Sequence, residues 1–289
     1  MLPLLIACLY LSKVTFTLGL VQISQPIGAN GSVTFLAVGD WGRKGAYNQS
    51  AVAHVMGEVG AKQGIDFVVS TGDNFYEDGL TGINDPAFAQ SFSRIYTAKS
   101  LQKPWYSGFV HIFFVDTIPF LNHYFGKNEE ANKMNWKGIL PREKYISNLL
   151  KDLKSAIRSS NATWKIVVGH HPIRSIGFHG DTKELLHQLL PILQANKIPM
   201  YINGHEHCLE HISNIGTPVE FLTTGGGSMA WRNVTHYERY KKNLKFYHDG
   251  QGFITVQLTK SEAKVTFYDG QGKTLHSFKL NAANNIKAQ

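Results

Sequence analysis

Cysteine is nearly absent: the 289-residue chain has two, Cys8 and Cys208. Cys8 falls in an apolar N-terminal stretch with the character of a leader. A chain processed there keeps Cys208 alone and forms no internal disulfide. Stability must then come from a buried core rather than from covalent staples. Acidic residues are also outnumbered, 21 Asp and Glu against 29 Lys and Arg, for a net charge of +8. That balance suits anionic substrates or an acidic extracellular matrix. The basic residues are scattered, however, without the aromatic interleaving of a nucleic-acid groove, so no nucleic-acid partner is expected and ordinary solubility charge accounts for them. No apolar run reaches bilayer length. The stretch Leu2 to Leu11 stops at Ser12-Lys13, so no stable membrane insertion is expected. Internal repeats and low-complexity linkers are missing too, and the length fits one domain.

The segment Met1 to Leu20 has no acidic residue and reads as a signal peptide, although it lacks a basic start. Four Asn-X-Ser/Thr sequons, at Asn30, Asn48, Asn161 and Asn233, agree with export and glycosylation. The expected product is a secreted chain, extracellular, in the cell wall or in the vacuole, with a single domain over 30–280.

Within that domain, apolar runs repeatedly end in short polar loops. Val33 to Val38 delivers Gly39-Asp40-Trp41-Gly42, and Ile65 to Thr71 delivers Gly72-Asp73-Asn74-Phe75-Tyr76. Lys165 to Val168 delivers Gly169-His170-His171, and Met200 to Ile202 leads to Gly204-His205-Glu206-His207. A strand that hands a carboxylate or an imidazole to the loop at its carboxyl end is the arrangement by which α/β sheets hold ligands. Between the first two runs, Ala51, Val52, Val55, Met56 and Val59 recur at helical spacing, predicting a crossover helix from about Tyr47 to Gly64. Such a βαβ unit brings Asp40 and Asp73 to one edge of the sheet. A short helix is expected over Pro86 to Tyr96, a brief strand at Lys103 to Tyr106 and a strong strand at His111 to Asp116. Ile146, Leu149, Leu150, Leu153 and Ile157 mark a helix opened by Pro141, and Leu185, Leu189, Leu190 and Leu193 mark another. Val219 to Thr223, Gly252 to Leu258 and Ala263 to Tyr268 alternate as in an antiparallel sheet with hairpins. The expected class is α/β (α+β), with mixed β-sheets sandwiched between helices.

A lone Gly-Asp-X-Gly is usually a turn, and a Gly-His-X-His pair can be satisfied by backbone groups. Their order and shared position at strand ends favour a site for one or two transition metals. In that order Asp40, Asp73, Tyr76, His170, His205 and His207 resemble the metallophosphoesterase superfamily. More narrowly, they resemble the small plant-type purple acid phosphatases, where a Tyr three residues after the bridging Asp supplies a hard phenolate to ferric iron. The resemblance runs from Val33 to Leu280 and includes Tyr201 to Cys208 and Thr224-Gly225-Gly226-Gly227-Ser228.

The resemblance implies a calcineurin-like metallophosphoesterase fold and hydrolysis of small phosphomonoesters by a monomer. It also implies a centre of Fe(III) plus a divalent ion, Zn, Mn or Fe. Asp40, Asp73, Tyr76 and His207 would hold the ferric ion, and Asp73, His170 and His205 the divalent one, with Asp73 bridging. His179 matches the family's substrate-side imidazole, with a solvated loop histidine as the alternative. Gly225 to Gly227 would form a tight turn or contact phosphate.

One block of the family pattern is missing. A Gly-Asn-His-Asp/Glu segment should lie between Tyr106 and His111, its Asn completing the divalent site and its His steadying the phosphoryl group. Here Lys103-Pro104-Trp105-Tyr106 runs directly into Ser107-Gly108-Phe109-Val110-His111, an internal deletion near 106–110. The pair Asn122-His123 follows the matching strand and reads as coincidence. Two functions are therefore weighed: an acid phosphatase impaired by the missing ligand segment, and a catalytically weak or inert metal-binding glycoprotein. A phosphodiesterase of the same superfamily is disfavoured by Tyr76.

Overall fold

A computed structural model describes residues 13–17, 20–24, 31–77, 79–82, 84–105, 111–125, 136–213 and 215–282. Two β-sheets pack face to face, with helices on their outer faces. The larger sheet has the order β1-β2-β5-β6-β7-β9-β8-β10, and the smaller β13-β12-β11-β3-β4. In chain order the strands are β1 (Lys13–Thr17), β2 (Leu20–Ser24), β3 (Val33–Val38), β4 (Phe67–Ser70), β5 (His111–Val115), β6 (Lys165–Gly169) and β7 (Met200–Asn203). They continue as β8 (Leu209–Ile212), β9 (Glu220–Thr224), β10 (Leu244–His248), β11 (Gly252–Leu258), β12 (Glu262–Asp269) and β13 (Thr274–Asn281).

The alternation along each central strand decides which core it feeds. On β3, Phe35 and Ala37 point between the sheets, where they meet Ile166 and Val168 of β6 and Met200 and Ile202 of β7. Leu36 and Val38 point the other way, onto Val52, Val55, Met56 and Val59 of helix α1 (Gln49–Gln63). Across the larger sheet, Val167 and Tyr201 face outward onto Leu149, Leu153 and Ile157 of α3 (Arg142–Ser159). Burial on both faces explains why these strands read as continuous apolar runs rather than as alternating ones. Leu153 is fully buried, and its truncation to Ala should cost about 2 to 5 kcal/mol.

The expected βαβ unit is present: β3 and β4 are parallel neighbours joined by α1, so Asp40 and Asp73 leave the sheet at one edge. Gly64 ends α1 in the left-handed conformation (φ 64°), with its N–H on the Gly60 carbonyl. Several elements differ from the sequence expectation. The segment after Pro86 is one α turn, α2 (Pro86–Phe88), running into a π turn, Ala89–Ser93. The helix expected through Leu185 to Leu193 is two, α4 (Lys183–Gln188) and α5 (Leu190–Ala195), because Pro191 cannot donate to the preceding turn. The brief strand at Lys103 to Tyr106 is a single bridge, Val68 to Trp105. β9 is not part of an antiparallel array alone: it pairs parallel with β7 and antiparallel with β8. The last helix among the described residues is the single turn α6 (Tyr237–Tyr240).

The residues expected to form a leader include β1 and the first residue of β2; β1 pairs antiparallel with β2, and β2 antiparallel with β5. The junction at 106–110 lies outside the described residues, as does Asn30. No helix among the described residues is long and apolar enough to cross a membrane.

Candidate dinuclear metal centre

The loops after β3, β4, β6 and β7 meet above the carboxyl ends of these strands, and their backbones are tied together. The N–H of Asp40 donates to Gly72 O (3.0 Å), that of Trp41 to Asp73 O (3.2 Å) and that of Gly204 to His170 O (3.1 Å). Asp40, Asp73 and His205 all have positive φ (59°, 49° and 66°). That conformation is sparsely populated for residues with a side chain, and it persists only where surrounding contacts enforce it. Asp40 is fully buried, and its Oδ2 accepts the backbone N–H of His205 at 2.9 Å. Gly204 and Gly225 allow that packing, since a Cβ on either would press into the Asp40 carboxylate. The glycine run at 225 to 227 is therefore packed against the Asp40 loop, with the Gly227 N–H on Gly39 O.

Side chains converge in two groups. The Tyr76 hydroxyl lies 2.6 Å from Asp73 Oδ2, 3.2 Å from Asp40 Oδ1 and 3.1 Å from His207 Nε2. His207 Nε2 is also 3.3 Å from Asp40 Oδ1. On the other side of Asp73, its Oδ1 lies 3.3 Å from His170 Nε2, which is 3.3 Å from His205 Nδ1. Asp73 thus faces both groups with different oxygens. The edge of a tetrahedron of donors about 2.0 to 2.1 Å from an ion is roughly 3.3 Å, so these separations suit direct coordination. The Nδ1 of His170 is 3.2 Å from the Thr71 carbonyl. A carbonyl only accepts, so the ring proton sits on Nδ1 and the Nε2 lone pair points to the cluster, the usual support for a ligating imidazole.

The electrostatics suit a cation. Burial, then the charges of Asp40 and Asp73 and the hydrogen bond to Asp73, push the Tyr76 hydroxyl far above the ordinary phenol range, while the Arg43 guanidinium, 3.6 Å above its ring, opposes them. Two carboxylates and a phenol packed this closely repel as anions, and a multiply charged ion in their midst reverses that balance. Burial, and then neighbouring imidazoles, hold His205 and His171 well below the usual histidine range, so both are neutral, as ligands must be. The residues present therefore fit a metal pair.

His179 is exposed and stacks on His205, ring centroids 4.2 Å apart. Trp231 stacks on His207 at 4.0 Å and closes that side of the cluster. A depression of about 270 Å³ lined by Asp73 to Glu77 and Gly79 opens beside the Tyr76 loop. A wider one along α3, lined by Lys151, Lys154 and Arg158, shares no residue with the cluster.

Residues 92–209 match the calcineurin-like phosphoesterase family. Over 301 aligned positions, covering 91% of this chain and 90% of the relative, the sequence is 50% identical to purple acid phosphatase 7 of Arabidopsis thaliana. The chain belongs to the purple acid phosphatases. It is accordingly a metal-dependent phosphatase, of a family that implies a dinuclear centre. Purple acid phosphatase 3 of the same plant is 48% identical, with 91% of this chain and 81% of the relative covered. Human tartrate-resistant acid phosphatase type 5 is 26% identical, with 88% and 92% covered. Among solved structures, the fold is similar to that of GAP50, the anchor in the inner membrane complex of Plasmodium. The TM-score is 0.71 at 22% identity, with 87% and 89% of the two chains covered. It is also similar to purple acid phosphatase PPD1 from yellow lupin seeds, with TM-score 0.65 at 12% identity and 90% and 56% covered.

The structure thus brings together all six residues singled out as metal ligands, with His179 at the rim. Asn122 stands apart from them: its Oδ1 accepts from Arg142 (2.8 Å) and its N–H donates to Glu184 (3.0 Å). Sequence reasoning missed three contributors. Glu206 and His171 lie inside the motifs that name their neighbours, and only their burial shows that they face inward. Trp231 carries no sequence signal beyond its residue type.

Proposed function

We propose that this purple acid phosphatase is an exported glycoprotein that hydrolyses small phosphomonoesters as a monomer, with activity reduced by a missing ligand segment. Fe(III) is held by Asp40, Asp73, Tyr76 and His207, and Zn, Mn or Fe(II) by Asp73, His170 and His205. The observation that carries the ferric assignment is the Tyr76 hydroxyl within 3.2 Å of Asp40, Asp73 and His207 together. A phenolate among carboxylates is a hard anionic set suited to a trivalent ion.

When bound, the two ions supply Lewis acidity towards phosphoryl oxygens and make water more acidic. The chain does the rest. Asp73, with one oxygen towards each group, fixes the spacing of the two sites. Tyr76 and Asp40 confine the ferric side, and Trp231 limits water beside His207. His179, at the mouth and stacked on His205, is placed to give a proton or hydrogen bond to the leaving alkoxide.

The impairment rests on alignment length. The 303 positions aligned with purple acid phosphatase 3 are spanned by 91% of 289 residues, about 263, leaving about 40 positions of the relative without a counterpart here. A gap of that size supports the absence of a whole block such as the one bearing the Gly-Asn-His-Asp/Glu motif. It also favours the second reading, a catalytically weak or inert metal-binding glycoprotein. Export to the extracellular space, cell wall or vacuole is supported by the exposure of Asn48, Asn161 and Asn233, each in a glycosylation sequon.

The test is optical. Iron-loaded protein should show a tyrosinate-to-iron charge-transfer band in the visible, and Tyr76→Phe should abolish it without unfolding the chain. A band that survived the substitution would disprove the role of Tyr76.

A further inference from the structure

His171 follows His170 at the end of β6, and in extended backbone consecutive side chains would diverge. The turn after Gly169 instead brings both rings into one cluster. His170, His171 and His205 each present a ligand nitrogen within 4.8 Å of the other two. The His171 ring centroid is 4.3 Å from that of His205 and 4.9 Å from that of His170. The side chain is buried, 1% exposed, so its orientation is set by the protein and not by solvent.

Both ring nitrogens have a neighbour, and the two neighbours differ in kind. Nδ1 is 2.8 Å from Thr117 Oγ1, and the same hydroxyl receives the His171 backbone N–H at 3.2 Å. That pair of contacts locks the ring, as an outer partner does for a ligating histidine. Nε2 is 3.1 Å from the Tyr124 hydroxyl. With the ring proton on Nδ1, Nε2 keeps its lone pair, and the phenol donates to it. A divalent ion competes for that lone pair far more strongly than a phenol does.

We propose that His171 is a third imidazole ligand of the divalent site. With Asp73, His170 and His205 it supplies the protein donor that the missing Asn-bearing segment would have contributed. This rests on the dinuclear reading above. Asp73 and His205 each lie 3.3 Å from His170 Nε2, the spacing of a tetrahedral edge, whereas His171 Nε2 is held on the Tyr124 hydroxyl and its ring joins the other two imidazoles only within the looser limit of 4.8 Å. Binding therefore requires a small inward swing of the His171 ring away from Tyr124. The resulting set of three neutral imidazoles and a carboxylate favours Zn(II) over a harder ion.

The test uses the full-length protein and Zn(II) as the probe. X-ray absorption at the zinc edge of wild-type protein with iron in the other site should count three imidazoles, and a count of two would overturn the assignment. His171→Phe should weaken Zn(II) binding by at least about tenfold in competition with a chromophoric chelator. The tyrosinate–iron band should stay unchanged in that variant, which reports that the fold and the ferric site survive. Unchanged zinc affinity in His171→Phe would refute the proposal. Tyr124→Phe, which removes the competing donor, should leave zinc affinity equal or higher. A loss there, with none in His171→Phe, would give the role to Tyr124. Absence of the band in the wild type would sink the ferric reading alone, since the zinc comparison between wild type and variant is unaffected by it.

Discussion

Glu206 Oε1 accepts the backbone N–H of His179 at 2.7 Å, so the residue between His205 and His207 also holds the loop that carries His179. The same oxygen accepts Gly180 N–H at 3.0 Å and lies 3.6 Å from His179 Nδ1. Gly177 must be glycine there, because a Cβ would meet the other oxygen of the carboxylate. Glu206 is 1% exposed, and a buried carboxylate with two backbone donors is a strong anchor, each bond worth about 1.5 to 3 kcal/mol. Glu206→Ala should lower kcat at least tenfold with little change in metal content. Glu206→Gln, which keeps an acceptor at the same place, should stay within about threefold of wild type. Equal loss in both variants, or metal loss in Glu206→Ala, would argue against a loop-positioning role.

Glu210 makes stability depend on pH in the direction opposite to a salt-bridged acid. Burial pushes its carboxyl up to about 8, with Glu206 and Asp181 adding to it, while hydrogen bonds from Ser175 and the Ile176 N–H oppose it. The unfolded chain loses this proton near 4.5 and the folded chain holds it to about 8. The contribution is therefore fully present below pH 4.5 and lost as pH rises through 8, with a slope near 1.4 kcal/mol per pH unit in between. Thermal melting at pH 5 should exceed that at pH 8, and Glu210→Gln should flatten the difference. A wild-type profile as flat as that of the variant would refute this.

Legibility followed periodicity and strand ends. β3, α1, β4, β6 and β7 announced themselves because each buries a face or an entire run, and the residues just beyond them became Asp40, Asp73, His170, His205 and His207. β8 and β10 did not, because Glu210, His211 and Lys245 interrupt their apolar pattern; the two buried ones are satisfied by partners on other elements, Glu210 by Ser175 and His211 by Glu220 and His276. The parallel pairing of β9 is likewise a tertiary choice that alternation within Val219 to Thr223 does not encode. His171 and Glu206 were hidden by their neighbours: a His-His pair or a His-Glu-His triplet shows which residue types are present, not which way each one turns.

Export should leave two marks. Cleavage near Leu20 would remove β1 and the first residue of β2, and the mature chain should then begin near Val21. Asn48, Asn161 and Asn233 are exposed and open to glycans. Mass spectrometry of protein from a eukaryotic host should show both a shortened terminus and glycan mass. An intact Met1 terminus without glycan would rule out the secretory route.

Activity should be limited by the missing segment, and the sequence between β4 and β5 gives the reason. Trp105 bridges to Val68 of β4 in the smaller sheet, whereas His111 opens β5 in the larger one. Between Trp105 and His111 the sequence Tyr106-Ser107-Gly108-Phe109-Val110 contains neither an Asn nor a His to offer the divalent side. Restoring a Gly-Asn-His-Asp-containing segment after Tyr106 should raise turnover on a generic aryl phosphate at acid pH by at least about tenfold, the scale of losing one supporting partner of a metal site. Excess divalent metal should partly rescue the unmodified chain, because a replacement ligand that must first leave the Tyr124 hydroxyl, as His171 must, holds the ion less firmly than one already in place. With metal content measured in both proteins, equal turnover per bound metal pair would refute the claim that the segment matters. If turnover stayed low in the restored protein at full metal occupancy, the defect would lie elsewhere, and the inert-glycoprotein reading would take precedence.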